Sequence, residues 1–82
     1  MLEDNLTAKC KDLKRLVGSV AWPGRIPTLN EIDVIEGMAK TRPEEAWNHF
    51  TLVVRRLKET DDGSGNAVFS AARFDRFMDR EQ

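Results

Sequence analysis

The sequence predicts an all-α protein, a small compact bundle of three to four helices. Three observations carry that prediction. Apolar residues recur at helical rather than alternating spacing along most of the chain. Prolines, glycines and cap-forming residues cut that pattern into helix-length pieces. The length, 82 residues, is enough for one domain, read as 1–82.

Size also bounds stability. A chain of 9.4 kDa should keep roughly 5,000 Å² of surface and bury only about 60% of what it exposes unfolded. Such a core is thin, and a staple would help it. None is offered. The single cysteine, Cys10, cannot make an internal disulfide, and no Cys/His cluster matches a structural zinc site. The chain must stand on helix packing or borrow core from a partner.

The first helical segment is read at about 3–20. Leu2, Leu6, Cys10, Leu13, Val17 and Val20 share one stripe, with Leu16 at its edge and Asp4, Lys11 and Arg15 opposite. Cys10 is central in that stripe, so it reads as a small buried hydrophobe rather than a reactive thiol. Residues 21–27 read as a loop because Pro23, Gly24 and Pro27 interrupt a helix. Trp22 either packs this loop onto the core or presents an aromatic anchor.

Thr28 and Glu31 have capping-box spacing, which starts a second helix at about 28–40. Its stripe is Ile32, Ile35, Met38 and Ala39, with Val34 pointing away and Gly37 weakening it. Pro43, Glu44 and Glu45 open a third helix at about 43–60, since Pro suits the first turn and carboxylates complement the dipole. Ala46, Phe50, Val53 and Leu57 form its centre line, flanked by Trp47 and Val54. Strand formers gather at Thr51-Leu52-Val53-Val54, but inside this longer helical pattern. Residues 61–69 read as a second loop. A last helix is expected at about 70–80, with Phe69 and Phe74 spaced as a hydrophobic staple and Phe74, Phe77 and Met78 facing inward.

Chemistry is hard to find. The lone histidine, His49, reads as half-buried or surface, with no nucleophile and orienter to complete a catalytic set. An EF-hand begun at Asp62 would need glycine at 67 and glutamate at 73, where the chain has Ala67 and Arg73. Gly63-Ser64-Gly65 has neither the preceding strand nor the Gly-Lys-Ser/Thr of a phosphate loop. The expectation is a protein that is not an enzyme and needs no cofactor or metal. No apolar run is long enough to span a membrane, and the acidic start is no export signal. With a free thiol, this points to the cytoplasm.

What remains is recognition. Thirteen Lys and Arg balance fourteen Asp and Glu, for a net charge of −1, unlike the basic footprint of a dedicated nucleic-acid binder. Leu52 projects about 130° from the core stripe at 100° per residue. It is either an ordinary exposed leucine or an interface anchor beside arginines. The candidate protein-binding residues are Trp22, Arg25, Leu52, Arg55 and Arg56. The alternative is a DNA-binding regulator of helix-turn-helix type using the basic ends of the third and fourth helices, Arg55, Arg56, Lys58, Arg73 and Arg76. Against it, the helix that should approach DNA opens with Glu44 and Glu45. A homodimer that completes its own core is a third reading.

The stretch Val20-Ala21-Trp22-Pro23-Gly24-Arg25, then Val34-Ile35, then Pro43, Glu44 and Phe50, resembles the theta subunit of bacterial DNA polymerase III. The likeness covers about 40 central residues by the spacing of those motifs. It departs at Pro23-Gly24, where the family is helical, and after Thr60. It implies an accessory role, binding and stabilising a proofreading exonuclease subunit without activity of its own. The profile also fits small inhibitors carried by phages and mobile elements. The expected function is therefore non-enzymatic: binding and modulating a protein partner of unknown identity, as accessory subunit or inhibitor.

Overall fold

The computed structural model describes residues 2–60, 68–69 and 74–78. They form an all-α fold: α1 (Leu2–Gly18), α2 (Arg25–Met38), α3 (Pro43–Glu59) and a short 3₁₀ turn at Arg76–Met78. Among the described residues there is no strand, and no helix is long and apolar enough to cross a membrane. The chain keeps 5110 Å² of surface, close to the roughly 5,000 Å² expected from its mass.

The stripes become the core. Leu6, Cys10, Leu13 and Val17 of α1 are fully buried, with Leu2, Leu16 and Val20 packed at the margin. Ile32, Ile35 and Ala39 face them, as do Ala46, Trp47, Phe50, Val53, Val54 and Leu57 of α3. Period-3.6 burial of this kind is what stabilises short helices, because isolated ones of this length are marginal in water. α2 is the central helix, packing on both α1 and α3, while α1 and α3 touch less. Two clamps fix the α1–α2 and α2–α3 pairs. Lys14 Nζ reaches Asp33 at 2.9 Å and Glu36 at 2.7 Å, and Arg56 donates to Glu31 at 2.7 Å. Ion pairs that remain open to solvent, as Arg56–Glu31 and Lys14–Asp33 do, are worth about 0–1 kcal/mol each, so they set register more than stability.

The expected capping box at Thr28 and Glu31 is not formed. α2 begins three residues earlier, with Gly24 at its N-cap and no side-chain cap bond. Thr28 is buried inside the helix, and its N–H donates to the Gly24 carbonyl at 3.1 Å. Pro27 permits this because it occupies the third helical position, where the first-turn N–H has no intrahelical partner anyway. The first loop accordingly contracts from 21–27 to the residues between Gly18 and Arg25. α1 also ends before Val20, where Ser19 closes it by donating its hydroxyl to the Leu16 carbonyl at 2.8 Å. α2 ends at Met38, two residues before the expected Lys40.

Residues 61–67 of the second loop and the start of the expected last helix, with Ser70 and Arg73, lie outside the described residues. On either side of them the backbone joins up: the Val68 N–H donates to the Thr60 carbonyl at 3.1 Å. Phe69 and Phe74 meet edge-to-face at 5.4 Å, while the helix start that would make them a staple lies outside the described residues. Phe74 and Phe77 are buried, and Phe77 meets Phe50 of α3 at 6.2 Å. Phe74 and Asp75 are helical, after which the backbone tightens into the 3₁₀ turn.

Gly37 is exposed in the last turn of α2, and a Cβ placed there meets nothing within 4 Å. Gly37→Ala should therefore raise the stability of the monomer by up to about 1 kcal/mol through helix propensity alone. A urea titration followed by circular dichroism checks it; a lower midpoint would contradict this reading.

Candidate functional site

The sequence-derived candidates fall in two places. Trp22 and Arg25 sit at the α1–α2 corner. Leu52, Arg55 and Arg56 lie on α3, whose C-terminal end reaches the same end of the molecule because α2 and α3 run antiparallel, tied by Glu31–Arg56.

At the corner, Trp22 is half-buried against the core and meets Phe69 edge-to-face at 5.5 Å. Gly24 makes room for it, since a Cβ there would overlap the indole ring. Trp22 Nε1 is buried without a hydrogen-bond partner among the described residues. A buried donor in that state costs about 1–3 kcal/mol, so apolar packing of the ring holds this side chain in place. Trp22 thus packs the loop, and Arg25 beside it opens α2.

On α3, burial separates neighbours by function. The face at Ala46, Phe50 and Leu57 is in the core, and Asn48, Leu52, Arg55 and Glu59 line the opposite face, all exposed. Leu52 is 59% exposed. The basic residues around it differ in what they are free to do. Arg56 is engaged with Glu31 across the α2–α3 groove, and Lys58 with Asp75 at 3.2 Å. Arg55 has no ion-pair partner among the described residues. Arg76 lies over the Phe77 ring at 5.0 Å, within cation–π range. Arg73 is outside the described residues. His49 is exposed on α3.

Two residues were not singled out by sequence. Lys9 is 9% exposed, its stem buried and its Nζ donating to the Arg76 carbonyl at 3.4 Å. Its position beside the α1 stripe was a signal that a long aliphatic stem would pack there. Ile26, assigned to the loop, is instead a 55% exposed apolar residue on α2.

Cys10 is fully buried, and burial, helped by the nearby Glu36 carboxylate, pushes its thiol from 9.0 to about 12. The folded protein holds this proton more tightly than the unfolded chain. Its contribution to stability is therefore present below pH 9 and lost as pH rises from 9 toward 12. Lys14, raised by its bonds to Glu36 and Asp33, adds loss in the same direction above 10.5. The native thiol should resist alkylation at pH 8 and react only on unfolding. Rapid labelling without loss of helicity would contradict that. Among the described residues no His, Cys, Asp and Glu cluster could hold a metal ion.

Comparisons with protein-family models, curated proteins and solved structures found no match to this chain.

Proposed function

We propose that the protein is a non-enzymatic binding protein that modulates a protein partner through the outer face of α3. The observation that carries this reading is the pairing of Leu52, exposed on a rigid helix, with Arg55, a cation that has no internal partner among the described residues. Interface centres favour a buried apolar side chain beside arginine, because the guanidinium makes planar, multidentate hydrogen bonds at low cost in ordering. Both side chains are presented by a helix whose other face is locked into the core, so little entropy is lost on docking. The partner surface that fits is an apolar pocket with a carboxylate at its edge.

The internal ion pairs weigh against the DNA-binding alternative. Arg56 and Lys58 are already neutralised by Glu31 and Asp75, which reduces the charge available for phosphate contacts. The resemblance to the theta subunit makes a proofreading exonuclease subunit the first partner to try. An accessory subunit or an inhibitor of a larger complex would both use such a face.

Tagged protein should recover one partner at about 1:1 from lysate of the cells that encode it, and recovery should survive nuclease treatment. Recovery of nucleic acid with a steep salt dependence, and no stoichiometric protein, would replace this reading with the DNA-binding one.

A further inference from the structure

We propose that the cleft between α1 and the C-terminal 3₁₀ turn is a binding site for a phosphate-type oxyanion, free or carried as a monoester. Among the described residues it is lined by Lys9, Asp12, Arg76 and Phe77, around a cavity of about 230 Å³. That volume holds several waters, or one small polyatomic ion. Two cations from segments far apart in sequence meet there, Lys9 on α1 and Arg76 at the start of the 3₁₀ turn.

The state of Lys9 points to a ligand. The residue is only 9% exposed. Its ammonium carries three donors. Among the described residues its one hydrogen-bond acceptor is the Arg76 carbonyl at 3.4 Å, beyond the usual range of about 2.7–3.2 Å. No carboxylate of the described residues lies within ion-pair distance of it. Charges covered to this extent are normally paired, because leaving one unpaired is costly. Arg76 is also without an ion pair among the described residues. Its guanidinium lies over the Phe77 ring at 5.0 Å. That contact uses the flat face of the group and leaves its N–H edge for an acceptor. Asp12 is the single acid in the lining. Its side chain is 50% exposed, and Oδ1 lies 3.5 Å from Arg15 Nη1, so another cation already engages it. Two cations thus outweigh one acid. A compact ammonium and a planar fork on different segments suit a dianion with three free oxygens. A carboxylate would be satisfied by the fork alone.

Titration of the full chain with inorganic phosphate at constant ionic strength, followed by NMR chemical shifts, tests the site. The shifts should saturate and should centre on Lys9, Asp12, Arg76 and Phe77. Lys9→Met keeps the packed stem and removes the charge. Arg76→Gln changes an exposed side chain. Each should weaken phosphate binding at least about ten-fold at unchanged helicity, because a charge-assisted hydrogen bond is lost. Asp12→Asn should tighten binding by removing a like charge. Lys40→Gln, at an exposed lysine outside the lining, should bind as the parent does. Acetate, with a single charge, should bind more weakly than phosphate. Should Lys9→Met lose helicity, Arg76→Gln and Asp12→Asn decide. Shifts that stay linear or spread over every exposed lysine, an Arg76→Gln chain that binds like the parent, an Asp12→Asn chain that binds more weakly, or acetate binding as tightly as phosphate would each overturn the proposal.

Discussion

Phe50→Ala should leave the protein largely unfolded at 25 °C. Phe50 is fully buried at the middle of α3, stacked on Trp47 at 5.8 Å and 25°, and in edge contact with Phe77 at 6.2 Å. It is therefore the residue at which α3, its own preceding turn and the C-terminal segment meet. Removing a buried phenylalanine ring costs about 3–5 kcal/mol. A single core of this size without disulfide or metal rarely supplies more than about 3–5 kcal/mol in total. The two quantities match, so a loss of helicity rather than a shifted midpoint is the expected result. Far-UV circular dichroism with a urea titration reads it. A cooperative transition within about 1 kcal/mol of the parent would show that the core closes around the gap.

Truncation after Thr60 should have an effect at least as large. The removed segment contributes Phe69, Phe74 and Phe77, all buried. These rings form a chain of contacts from Trp22 through Phe69 and Phe74 to Phe77 and Phe50. Without them the flank of α3 at Trp47, Phe50 and Val54 and the ring of Trp22 would face water. The three-helix fragment should lack a cooperative thermal transition and should bind a hydrophobic dye. A fragment that melts cooperatively near the parent temperature would show that the C-terminal segment is an appendage instead of a wall of the core.

Helical periodicity placed Leu6, Cys10, Leu13 and Val17, then Ile32 and Ile35, then Phe50 and Leu57 on their buried faces, because a one-sided core imposes a 3.6 period on whichever residues meet it. The same wheel put Leu52 and Val34 in solvent. Helix starts were less legible. Thr28 and Glu31 have the spacing of a capping box, yet Pro27 fits the first turn of a helix that begins at Arg25. Capping chemistry lost there to the burial of Thr28. Partner choice among charges was not legible at all. Nothing in the local sequence says that Arg56 will meet Glu31, Lys58 will meet Asp75, and Lys9 will reach the Arg76 carbonyl. Each depends on how separate segments pack. The candidate face was therefore visible as Leu52 beside basic residues, and the structure narrowed its free cation to Arg55 among the described residues.

The binding face proposed for α3 rests on Leu52 and Arg55, both exposed. The most direct test is quantitative affinity capture from host lysate with the parent protein and with Leu52→Glu and Arg55→Glu, both exposed and so expected to leave helicity unchanged, with Lys11→Glu as a surface control. The parent and the control should recover one partner at about 1:1, and each α3 variant should lose at least about ten-fold, as when an interface anchor is removed. Equal recovery by all four proteins, or no stoichiometric partner for the parent, would contradict it.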